Sequence, residues 1–167
     1  MKNTFRNHDI RGRYSYNGID GTFTGIFRLY DDGRLTGLMT DQGPDIVAPG
    51  KVKLALGLHD DQTMNFWKLS GTTGLAPLVY VLEKTSEYSY LGKWGVIDIP
   101  ISELVKGVEG SPPLDEVSEA FKADNAEIKL NFLDRVPTRT IESYLNQHLI
   151  ESLKTSPNTG ELELIRK

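Results

Sequence analysis

Between Gly12 and Met39 the sequence places glycines and large residues alternately on one face of successive extended segments, and this pattern demands a strongly curved sheet. Phe23, Gly25, Phe27 and Leu29 share one side of a period-two stretch, and Leu35, Gly37 and Met39 share one side of the next. Asp31-Asp32-Gly33 between them reads as a hairpin loop with Gly33 in the left-handed position. Closing the hairpin there sets Leu29 opposite Leu35, Phe27 opposite Gly37 and Gly25 opposite Met39. Each glycine then leaves room for the bulky side chain facing it, as a small barrel requires.

The same reading extends to a series of short strands over residues 10–99. Ile10–Tyr16 sets Gly12, Tyr14 and Tyr16 against Arg11, Arg13 and Ser15, followed by a turn at either Asn17-Gly18 or Asp20-Gly21. Both turns put Tyr14 and Tyr16 on the Phe23/Phe27 side. Val52, Leu54, Leu56 and Leu58 alternate with Lys53, Ala55 and Gly57, which predicts a half-buried strand. Thr63–Leu69, Leu78–Lys84 and Tyr88–Ile99 follow, the last with Tyr90, Gly92, Trp94 and Val96 on one side. Such a meander resolves its edges best by closing.

The pattern changes at Pro100. Ser111-Pro112-Pro113 predicts a helix start carrying Leu114, Val117 and Phe121, and Ala126–Leu133 returns to period two through Ile128, Leu130 and Phe132. Thr138–Lys154 reads as one helix with the stripe Ile141, Tyr144, Leu145, His148, Leu149 and Leu153. Leu162 and Leu164 mark a last strand, which either completes a crossover unit or joins the barrel margin. The expected class is therefore mainly β (α+β): an antiparallel up-and-down barrel or strongly curved sheet over residues 1–100. An α/β extension over residues 101–167 packs its helices on the barrel, and the whole is expected to behave as one cooperative domain.

The runs Gly21-Thr22-Phe23-Thr24-Gly25-Ile26-Phe27-Arg28-Leu29, Asp32-Gly33-Arg34-Leu35-Thr36-Gly37 and Met64-Asn65-Phe66-Trp67-Lys68 resemble the calycin-type barrels, lipocalin-like and avidin-like. The resemblance covers about residues 10–99 and implies a barrel that holds a small ligand. Where lipocalins open with Gly-x-Trp, this chain has Gly12-Arg13-Tyr14.

Composition removes several function classes. Lys plus Arg balance Asp plus Glu at 11 to 11 over residues 1–100 and stand at 8 to 12 over residues 101–167, so the net charge of −4 lies in the last third. That balance argues against a nucleic-acid partner, which needs a basic face. Arg6, His8, Arg11 and Arg13 read as a solvated strand edge. The absence of cysteine excludes a disulfide framework and thiol catalysis. No apolar stretch is long enough to cross a bilayer as a helix, and Met1–Asp9 has no signal-peptide core, so a cytoplasmic chain without membrane contact is expected.

Lys68 is the first candidate for a site, set against the ordinary reading that it ends its strand and snorkels to water. It shares a face with Met64 and Phe66, and an inward ammonium needs a partner, which Asp41 on the Leu35/Met39 face can supply. Tyr14, Tyr16 and Tyr80 add aromatic surface with polar tips, suited to a ligand of mixed polarity or to barrel filling. The ligand-binding candidates are thus Tyr14, Tyr16, Asp41, Phe66, Lys68 and Tyr80. The histidines His8, His59 and His148 lack metal-ligand spacing, and His59 stands among turn acids Asp60 and Asp61. No metal, cofactor, phosphate loop or nucleophile elbow is expected. The favoured reading is a non-enzymatic binding protein for a small, mostly apolar ligand. Alternatives are a protein-interaction module, inhibitor or adaptor, using the acidic extension, and a cofactor-free isomerase or cyclase based on Lys68.

Overall fold

The computed structural model describes residues 4–16, 18–42, 52–69, 78–97 and 126–165. The strands are β1 (Phe5–Tyr16), β2 (Ile19–Tyr30), β3 (Arg34–Gln42), β4 (Lys53–His59), β5 (Thr63–Leu69), β6 (Leu78–Ser86) and β7 (Ser89–Val96). Among the described residues three short helices follow, α1 (Ala126–Asp134), α2 (Thr138–Tyr144) and α3 (Gln147–Leu153), and then β8 (Thr159–Leu164). Consecutive strands pair antiparallel, and β8 inserts between β7 and β1 to close the barrel. The last strand therefore joins the barrel margin and makes no crossover unit.

The glycine-laced hairpin has the expected register: Leu29 faces Leu35, Phe27 faces Gly37 and Gly25 faces Met39. Gly33 takes φ +95° at the loop, where a side chain would be strained. A Cβ on Gly37 would lie 2.5 Å from Phe27 Cδ1, so the missing side chain is what admits the ring. Of the two possible first turns the chain uses the earlier, because Tyr16 pairs with Ile19 and Gly18 takes φ +78°.

Among the described residues two apolar cores result. Ile10, Phe23, Phe27, Leu35, Met39 and Phe66 belong to the one that fills the lumen. Leu54, Leu56, Trp67 and Val79 belong to the other, on the outer wall, where Leu133, Val136, Ile141 and Leu145 of the helical segment cover them. This second core corrects the expectation that β4 is half-buried, since both of its faces are covered. Its leucines face the helices, while Ala55 and Gly57 face the lumen opposite Lys68 and Phe66. With both faces buried, alternation of leucines with Ala55 and Gly57 reflects two apolar environments and not one apolar and one solvated face.

The helical segment departs from expectation in two places. Ala126–Asp134 is a helix, not a strand: Leu130 and Leu133 are buried one turn apart, and three alternating apolar residues are too short a signal to outweigh that spacing. The long helix is broken in two. Leu145 leaves the helical region at φ −99°, ψ 55°, and the Asn146 side chain accepts the Leu149 N–H at 3.0 Å, capping a new helix. His148, expected at the edge of the apolar stripe, is exposed. The helix expected after Ser111 lies outside the described residues.

Asp134 at the end of α1 fastens the helical segment to the wall. Its carboxylate accepts from Arg28 Nη1 at 2.7 Å and Thr36 Oγ1 at 3.0 Å, and its carbonyl accepts from Arg34 Nη1 at 2.6 Å. The basic run on β1 is not an edge, since β1 pairs on both sides. Arg11 remains solvated and meets Glu163 of β8 at 3.2 Å. No helix among the described residues is long and apolar enough to cross a membrane.

Candidate functional site

At the end of the barrel where β1, β3, β5 and β7 finish, three charged side chains turn inward. The pairings Met39↔Lys53 and Ala55↔Lys68 carry both lysines to the lumen side beside Asp41. Lys68 Nζ donates to Asp41 Oδ1, and Lys53 Nζ lies 3.3 Å from Asp41 Oδ2. Only 5% of Lys53, 9% of Asp41 and 5% of Lys68 is exposed, so this cluster belongs to the interior and not to a solvated rim.

Aromatic faces surround the Lys68 ammonium. Its Nζ lies 5.3 Å from the Tyr14 ring centre, 5.7 Å from Phe23 and 6.0 Å from Tyr80, distances at which a cation is attracted to a ring face. Trp94 extends the surface, stacked on Tyr80 at 6.0 Å and edge-on to Tyr14 at 6.4 Å, with its indole N–H donated to the Thr159 carbonyl at 3.0 Å. Half-buried Tyr14 carries the cluster toward the surface.

Burial pushes the Lys68 pKa down, against the opposing pull of Asp41, and Lys53 lowers it further. Burial likewise holds the Tyr80 phenol well above its ordinary value, with Asp41 adding to the effect, so Tyr80 stays neutral at physiological pH. An ammonium has three N–H donors. Among the described residues Asp41 is the hydrogen-bond acceptor for Lys68, and the rest of the group faces rings.

Below this cluster the lumen is packed. Phe27 and Phe66 meet at 5.2 Å, and Phe23 on β2 reaches Tyr80 on the facing β6 at 6.0 Å. These contacts span the barrel, and Gly160 admits the Tyr80 ring, which a Cβ there would approach to 2.9 Å. Side chains therefore fill the middle of the lumen. No known protein family matches this chain, and comparison with curated proteins and with solved structures likewise finds no match.

The structure brings Tyr14, Asp41, Lys68 and Tyr80 together. Phe66 lies deeper, stacked on Tyr80 at 5.1 Å and fully buried. The Tyr16 side chain lies outside the described residues. Sequence reasoning missed Lys53, Phe23 and Trp94 as members. Lys53 was legible by the rule used for the first hairpin: Gly57 stands opposite Phe66, which places Gly57, Ala55 and Lys53 inward. Among the described residues no cluster of His, Asp and Glu is arranged to hold a metal ion. Asp60 serves its turn instead, its Oδ1 accepting the N–H groups of Gln62 and Thr63 at 2.8 Å.

Proposed function

We propose that this chain is a non-enzymatic binding protein that takes a small, mostly apolar ligand at the Lys68 end of its barrel. The observation that supports this reading is the inward Lys68–Asp41 ion pair ringed by Tyr14, Phe23 and Tyr80. Withdrawing an ammonium and a carboxylate from water costs about as much as their attraction returns, and apolar replacements of similar volume are often more stable. A charged pair held in this position is better explained by recognition than by stability. The ligand has a compact apolar or aromatic body, lying on Tyr14 and Trp94, and one acceptor oxygen directed at Lys68. Its size is limited by the aromatic plug beneath. A second reading, proton transfer by Lys68 in an isomerase or cyclase, is favoured by one observation, the lowering of its pKa by burial.

Fluorescence tests the binding reading. The chain has 2 tryptophans, so Trp67→Phe leaves Trp94 as the reporter beside the site. Benzoate, benzamide and cyclohexanol are the probes. Saturable change of Trp94 emission with at least one of them, weakened about tenfold or more by adding Lys68→Met, is expected. No saturable change with any probe, or the same affinity without Lys68, would overturn it.

A further inference from the structure

The opposite end of the barrel holds a cup of about 590 Å³, bounded by the β2–β3 loop, the turns after β4 and β6, the start of β1 and the end of β8. Its volume lies in the range of small-molecule sites. Leu29, Tyr90 and Leu164 line it from the lumen side, and Tyr88 joins their cluster. The charged lining is mainly acidic, with Asp31, Asp32, Asp60, Asp61 and Glu87 against Arg6 and Lys84. Several of these acids already have partners: Asp32 meets Arg34 at 2.9 Å, Asp31 accepts from Thr4, and Asp60 holds its turn. Asp61 and Glu87 make no hydrogen bond or ion pair among the described residues.

A second, independent feature points into the same cup. Tyr90 is only 6% exposed and lines the concavity, yet its hydroxyl has no hydrogen-bond partner among the described residues. The ring is packed into the wall while the residue borders the concavity, so its hydroxyl oxygen is available to a ligand atom there. Burial raises the Tyr90 pKa, and the charges of Asp60 and Asp61 raise it further, so the field of the rim reaches the floor.

We infer that this cup is a second ligand site, specific for a small organic cation: an alkylammonium that donates N–H to the Tyr90 hydroxyl oxygen, faces Asp61 and Glu87, and lays its apolar stem on Leu29 and Leu164. The aromatic residues Tyr88 and Tyr90 in the lining suit the same charge. The site differs from the Lys68 end in position and in the chemistry it selects, a cationic N–H donor here and an acceptor oxygen there, so the two proposals fail or succeed separately.

The test is a titration of the intact wild-type chain with n-hexylammonium, and with n-hexanoate as the matched anion, followed by amide NMR shifts at low salt. Saturable shifts centred on Gly33, Asp61, Tyr88 and Tyr90 are expected with the amine and not with the acid. Added salt weakens binding, since the rim charges are screened. The exposed double substitution Asp61→Asn/Glu87→Gln weakens it about fivefold or more, and Tyr90→Phe about threefold or more. Absence of saturable shifts with hexylammonium, equal shifts with hexanoate, or unchanged affinity in either variant would overturn the inference.

Discussion

Phe27 on β2 and Phe66 on β5 meet edge to face at 5.2 Å across the lumen, although these strands are separated by two others in the barrel wall. The contact packs the middle of the lumen and separates the Lys68 cluster from the opposite end of the barrel. Phe66→Ala is expected to destabilise the fold by about 3–5 kcal/mol, the range for removing a buried aromatic ring. The vacancy is apolar and bounded by Phe27 and Tyr80, so benzene should bind there and raise the melting temperature of the variant but not of the wild type. Calorimetry with and without benzene checks both statements, and a variant as stable as the wild type would refute the plug.

Lys68 makes stability depend on pH in a defined direction. Its pKa in the folded chain lies below the ordinary lysine value, so between the two the unfolded chain holds more protons. Stability therefore rises with pH across that window, which ends near the unperturbed lysine value of about 10.4. Tyr80 acts oppositely: its raised pKa removes stability once pH exceeds the ordinary tyrosine value of about 10. Urea denaturation between neutral pH and that limit should show wild type gaining on Lys68→Met as pH increases. Parallel curves would mean that Lys68 titrates as it does in the unfolded chain.

Most of the barrel was legible because glycine opposite a large residue is a geometric statement, not a propensity. It fixed the β2–β3 register and brought Lys68 and Asp41 to the same face. In β4 the alternating leucines suggest one apolar face and one solvated face, whereas the leucines belong to the outer core and the other face to the lumen. A strand covered on both sides has no polar face to show which side is the lumen. The break at Asn146 was hidden because its side-chain cap competes with a helical pattern that continues through it. Closure by β8 could not be read from Leu162 and Leu164 alone, since strand pairing between chain ends depends on the path of everything between them.

The helices and barrel should unfold together. Leu145 is buried in the outer core, and α3 leads directly into β8, the strand that closes the barrel. Leu145→Ala is expected to cost about 2–5 kcal/mol and to move a single thermal transition. Half-buried Leu149 should cost less on the same substitution. Two transitions, with only the minor one displaced, would show a barrel that stands without its helical cover.

Thr140 offers a substitution in the stabilising direction. Its hydroxyl is buried against the wall with no hydrogen-bond partner among the described residues, as is the Trp67 indole N–H in the same outer region. Thr140→Val keeps the shape and removes the unsatisfied group, which should add about 1 kcal/mol or more. Denaturant unfolding measures it, and a loss of stability would show that the hydroxyl is satisfied in solution.

The central claim, that the Lys68–Asp41 mouth is a binding site, is tested most directly by native mass spectrometry of the intact chain purified from its own host. The wild type should carry a non-covalent small molecule that is absent from an equally folded Asp41→Asn/Lys68→Met variant prepared in parallel. A wild type without a bound mass, or a variant that retains the same one, would contradict the claim.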